Sequence, residues 1–181
     1  DASAGMFDPV RAVSLYEKAW QDGVPIAAFD LGHLYEFGVQ NAGAPNIALQ
    51  PDATKAWLWY EKGADAGEPN ALGRFAERDE RSALAATDEQ ERSALLLAAF
   101  ASYAAAAERA RIENWPDEAW RNWRYHRATL ARLLAREGSM QQVAETYAAV
   151  IEKWRARPQS FLNRVTSLVT FLIQSTEQTS Y

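Results

Sequence analysis

Reactive chemistry in this chain would have to come from its two histidines, from paired carboxylates, or from a cluster of aromatic and arginine side chains. There is no cysteine, which excludes disulfides, thiol nucleophiles and thiolate zinc sites. His33 stands between Gly32 and Leu34, and His126 lies in the run Trp123-Arg124-Tyr125-His126-Arg127. Neither has a second histidine at helical spacing, so a metal centre is not expected. His33 as a general base is set aside in favour of a variable surface position on a helix. Facing carboxylates can cleave glycosidic bonds. Glu17 and Glu61, however, are each followed by a lysine (Lys18, Lys62) and read as surface charge. Asp117 and Glu118 read as first-turn acids favoured by the helix dipole. No Gly-x-Ser-x-Gly elbow, phosphate loop or dinucleotide fingerprint occurs. The expectation is a chain without catalytic residues, metal or cofactor.

The most unusual local feature is Trp115, Trp120, Trp123, Arg124, Tyr125 and Arg127. Trp, Tyr and Arg dominate binding hot spots. Trp120, Trp123 and Arg127 share a helical face, which allows cation–π stacking. The alternative, preferred for Trp120 and Trp123, is that the indoles fill a joint against an Ala-rich helix. Arg124 and Tyr125 are the better exposed contacts. The net charge is −5, and the arginines between 109 and 136 are interleaved with Glu108, Glu113, Asp117, Glu118 and Glu137. That describes a mixed solvated face and argues against nucleic acid, whose binding needs clustered positive charge. The apolar run 94–107 is too short to cross a membrane, so no transmembrane segment is expected.

The elements that must position these residues are helices. Pro and Gly punctuation predicts helices over about 9–21, 25–37, 51–66 and 69–77, and the charged stretch 77–81 ends the recognisable repeats. Thr87 and Gln90 form a capping-box pattern ahead of a long Ala-rich helix, about 88–112. Asn114 or Asp117 caps a helix that runs to Arg136. Ser139 and Gln142 open another, to about 156, and a last helix spans about 159–174. No strand pattern of convincing length appears.

A fixed period is also present. Moving Asp8 onto Asp52 superposes Ala12 on Ala56, Tyr16 on Tyr60, Glu17–Lys18 on Glu61–Lys62, Gly23 on Gly67 and Pro25 on Pro69. A repeat of this length signals units that stack to bury their apolar faces. The fullest copy is Ala28, Leu31–Gly32, Tyr35, Gly38–Val39, Asp52, Lys55–Ala56, Trp59–Tyr60, Lys62, Ala64 and Gly67. This spacing resembles the Sel-one-like repeat, a relative of the tetratricopeptide repeat, clearest over residues 8–75. Two departures stand out: an expanded turn, 40–51, with apolar Ile47 and Leu49, and Arg74–Phe75 where Leu–Gly would continue the pattern.

The resemblance implies an all-α, right-handed solenoid of antiparallel helix hairpins, with repeats over 1–80 and a divergent tetratricopeptide-like region over 81–181 continuing the stack. Because the first helix matches the second helix of a unit, the start at Asp1 reads as a chosen boundary or a processed end. The family's first helices line a concave side where partners bind. Carried over, that side includes Asp30, His33, Glu36, Phe37, Asn70 and Arg74, to which the aromatic cluster adds Trp120, Arg124 and Tyr125. The implied function is a noncatalytic protein–protein interaction module: a bacterial adaptor, or an immunity protein occluding a secreted effector such as a type VI lipase toxin. Scaffolding of envelope or exopolysaccharide assembly is the alternative, and a helical lytic enzyme a further one. The periplasm is slightly favoured over the cytoplasm.

Overall fold

The computed structural model describes residues 8–40 and 47–155. Within them the protein is helical apart from one small ribbon: α1 (Pro9–Gln21), α2 (Ile26–Phe37), β1 (Val39–Gln40), β2 (Ile47–Leu49), α3 (Ala53–Ala66), α4 (Pro69–Ala85), α5 (Glu89–Ile112), α6 (Asp117–Arg136) and α7 (Met140–Arg155). No helix among the described residues is long and apolar enough to cross a membrane. The expected helix over 159–174 lies outside the described residues, as do Gly43, Pro45 and Asn46 of the expanded turn.

Local chemistry accounts for the boundaries. Asp8 accepts from the amides of Val10 and Arg11 at 3.0 and 3.1 Å, with Pro9 opening α1 behind it. Asp52 accepts from the Lys55 amide at 2.9 Å and starts α3. Such caps satisfy amides that have no partner within the helix. Asp88 takes the cap of α5 through the Glu91 amide at 2.7 Å, one residue beyond the expected Thr87–Gln90 box. Asn114 occupies the left-handed region (φ 57°) in the turn before α6 and caps nothing.

One expectation is corrected. The helix expected over 69–77 does not stop there but continues through the charged stretch 77–81 as α4 to Ala85. The residues of that stretch are strong helix formers, Arg74 and Glu77 pair at i, i+3, and Ala76, Asp79 and Ala83 are buried on one side. The expanded turn carries a ribbon of two- and three-residue strands, too short to leave an alternating pattern in the sequence. β1 and β2 pair antiparallel with Val39 opposite Leu49 and Gln40 opposite Ile47, and β2 lies beside α1.

The packing is built on small residues. In the α2–α3 pair, a Cβ on Gly32 would sit 2.4 Å from Tyr60 Cε1, so the fully buried Tyr60 ring lies against bare backbone. Trp20 of α1 meets Trp59 of α3 edge to face at 6.2 Å, and α2 touches α4. Neighbouring helices therefore pair, and alternate helices also meet. The centre of the second half is α5, flanked by α4, α6 and α7. Every residue from Tyr103 to Ala110 is buried, the signature of a helix covered on all sides.

One corner ties the halves together. Gly67 ends α3 in the left-handed region (φ 82°), where a Cβ would also strike the Trp154 ring of α7. Arg109 of α5 donates through Nε to the Gly67 carbonyl at 3.0 Å, pairs with Glu113 and lies against Trp154. Glu68, only 2% exposed, caps α4 by accepting from the amides of Asn70 and Ala71. Burial raises its carboxyl pKa to about 7, against those hydrogen bonds, which favour the charged form; Glu113 adds repulsion.

This shift has a sign. The folded pKa lies above the ordinary value of 4.5, so the contribution to stability is complete below about pH 4.5 and is lost as pH rises through about 7. The difference is on the order of 3 kcal/mol. Denaturant unfolding of the wild type and Glu68→Gln should therefore diverge between pH 5 and 8, with the wild type losing ground as pH rises. Parallel profiles would contradict it.

A groove between α4 and α6

The extension of α4 past residue 77 builds the most partner-ready surface on the α2–α4–α6 side. Arg74, Glu77, Glu80, Arg81 and Leu84 of α4 face Ala119, Asn122, Trp123 and His126 of α6 across an open groove of about 480 Å³, with Tyr103 of α5 between them. Close approach is set by Gly73: a Cβ there would lie 2.7 Å from Trp123 Nε1, so the indole covers the α4 backbone directly. Trp123 is thus a joint, as its Ala-rich surroundings predict, and also a wall of the groove.

Polar contacts hold the groove in shape. The Tyr103 hydroxyl donates to Glu80 Oε2 at 2.9 Å, and His126 Nδ1 lies 3.1 Å from the same oxygen. The Tyr103 and His126 rings stack at 5.0 Å. Burial and the Glu80 carboxylate raise the Tyr103 phenol far above its ordinary pKa, so it stays a donor. Toward α2, the Tyr60 hydroxyl donates to Glu36 Oε2 at 2.6 Å, Arg74 pairs with the other Glu36 oxygen, and Arg74 Nη1 reaches Glu77 at 2.7 Å. Burial and then Glu36 raise the Tyr60 phenol. Burial lowers the Arg74 pKa, but Glu36 and Glu77 outweigh it and the net shift is upward. Two carboxylates share one guanidinium here, and the row Glu36–Arg74–Glu77 bridges α2 and α4.

The structure separates the nine residues expected at a binding face. Glu36 and Arg74 come together in that bridge. The His33 and Phe37 rings meet at 4.6 Å on α2, tilted by 47°, with Phe37 62% exposed. Asp30 is half-buried, and its carboxyl is raised by burial against the opposing effect of His33; its charge is also felt by Tyr16 of α1. Asn70 is a local cap, its Nδ2 donating to Glu68 at 2.9 Å. Tyr125, 66% exposed, stands edge-on to His126 but does not line the groove. Trp120 and Arg124 belong elsewhere. Trp120 is buried against Ala107 and Ala110, and Arg124 lies over its ring at 4.4 Å, facing α7. Arg127, whose spacing allowed stacking on the indoles, sits over Tyr147.

Glu80, Arg81, Leu84 and Tyr103 were not expected at a site. The signal for the first three was the helix-forming composition of 77–85. Among the described residues, no cluster of three or more His, Asp or Glu side chains is arranged to hold a metal ion. Comparison of the chain with protein-family models, with curated proteins and with solved structures found no match.

Proposed function

We propose that this chain is a noncatalytic protein–protein interaction module, a right-handed solenoid of Sel-one-like hairpins whose partner docks in the α4–α6 groove. Support for the solenoid comes from the repeat motif and from the contact of Gly32 with Tyr60, two motif positions that must meet if the hairpins are to pack closely. The observation that carries the binding role is Leu84. It is 83% exposed at a groove that also offers Trp123, Arg81 and His126. Trp123 and Arg81 are the residue types that dominate binding hot spots, and an exposed leucine beside them has apolar surface to gain by burial under a partner. On the family resemblance, the partner is a secreted bacterial effector and the role that of an adaptor or immunity protein, acting by occlusion.

Affinity capture from the native host with the wild type and with Leu84→Asp/Arg81→Glu tests this. The wild type should retain a stoichiometric protein partner, and the variant should lose it at least about tenfold, as expected for a hot-spot pair. Both side chains are exposed, so the thermal midpoint should stay nearly unchanged. Equal recovery by both proteins, or a measurable turnover by the chain itself, would contradict the proposal.

A further inference from the structure

A second groove, unrelated to the first, opens where α7 packs on α5 more than on α6. It encloses about 1010 Å³ and is lined by Glu108 and Arg111 of α5, Trp120, Arg124 and Arg127 of α6, and Tyr147, Ile151 and Glu152 of α7, with Ala107 and Ala148 between them. Its cations are not equivalent. Arg111 is consumed by Glu108, which accepts from its Nε and Nη2 at 3.0 and 2.6 Å. Arg124 and Arg127 have no carboxylate partner among the described residues. Each is held by an aromatic ring: Arg124 over Trp120 at 4.4 Å, and Arg127 over Tyr147 at 5.3 Å, with a long hydrogen bond to the Tyr147 hydroxyl at 3.4 Å.

A guanidinium held over a ring face keeps N–H donors for oxygens: the Arg124 fork stays free, and Arg127, with Nη1 on the Tyr147 hydroxyl, keeps its Nη2 and Nε donors. The two arginines are one helical turn apart on α6 and share a face. Three guanidiniums against two carboxylates make this a locally cationic groove on a chain of net charge −5. Its aromatic and aliphatic lining disfavours a fully hydrated small anion as the whole ligand. The remainder of the chain is a poor occupant by charge: residues 156–181 carry Arg157 and Arg164 against the single acid Glu177.

We infer that the α5–α6–α7 groove receives an acidic, apolar-interleaved peptide segment of a partner protein, with carboxylates on Arg124 and Arg127 and apolar side chains against Tyr147 and Ile151.

The probe is a fluorescently labelled synthetic peptide alternating Glu with Leu and Phe, compared with the same peptide carrying Lys in place of Glu. Wild type should bind the Glu peptide at least about tenfold tighter, with affinity falling as salt rises. Arg124→Ala/Arg127→Ala should lose about tenfold, Arg124→Lys/Arg127→Lys should fall between because it keeps charge but not the fork, and Glu152→Gln should tighten binding. Leu84→Asp/Arg81→Glu should leave it unchanged, which separates this inference from the α4–α6 proposal. The inference is overturned if wild type does not distinguish the two peptides, if the arginine variants bind like wild type, or if inorganic polyphosphate displaces the peptide more tightly than it binds. It is equally overturned if sedimentation shows a self-dimer that dissolves in the arginine variants, since the occupant is then a second copy.

Discussion

Arg109→Met should lower the stability of the folded chain by about 3–5 kcal/mol, because breaking a buried ion pair strands the remaining charge. The stranded groups are specific. Glu113 would lose its guanidinium, the Gly67 carbonyl its donor, and the Trp154 ring one of its two cations, Lys153 remaining. Glu113 already disfavours ionisation of the buried Glu68, so an unpaired Glu113 would be felt at the α4 cap as well. In a chain of this size the thermal midpoint should fall by roughly 10 °C. Arg109→Lys should recover only part of the loss, since an ammonium holds the charge but cannot serve the carbonyl and the carboxylate from one fork. A midpoint within a degree or two of wild type for Arg109→Met would show that the corner does not join the two halves.

Gly32→Ala should be destabilising by about 2–3 kcal/mol, although Gly to Ala in a helix interior ordinarily stabilises by about 1 kcal/mol. The sign is reversed by contact. The new methyl group would lie 2.4 and 2.5 Å from two ring atoms of Tyr60. That ring cannot move aside: its hydroxyl is bonded to Glu36, and Phe29 and Trp57 pack around it at 5.8 and 5.5 Å. The helices must separate. A double-mutant cycle isolates the effect, because the penalty should vanish, and the ordinary gain reappear, in a Tyr60→Ala background. Chemical denaturation reads both. A stabilised single variant would mean that the α2–α3 pair is not packed through this glycine.

The helical fold was legible because its determinants are local. Asp8–Pro9 and Asp52 declare helix starts, and Gly23, Gly38 and Gly67 fall where the chain must turn into left-handed space. Gly32 and Tyr60, singled out in the sequence by their spacing, meet in the α2–α3 pair. Where α4 ends was not legible, because charge was read as punctuation although Glu and Arg are good helix formers, and burial of Ala76 and Ala83 is a tertiary fact. That one boundary hid Glu80, Arg81 and Leu84. Likewise, Arg124 was expected in a binding face, but which face depended on how α6 is rotated against α5. Sequence spacing set Trp120 and Arg127 on one side; only packing shows that Arg124 takes the indole and Arg127 takes Tyr147. The Glu68 cap could have been anticipated, since an acid immediately before Pro69 repeats the Asp8–Pro9 arrangement.

The central claim is that the α4–α6 groove is where a protein partner sits. Hydrogen exchange on the complex captured by the wild type, set beside the free chain, measures this directly. The account predicts new protection in α4 and α6 over 77–85 and 119–126, absent when Leu84→Asp/Arg81→Glu is used. Protection confined to α1 and α3, or a complex that forms equally well with the variant, would contradict it.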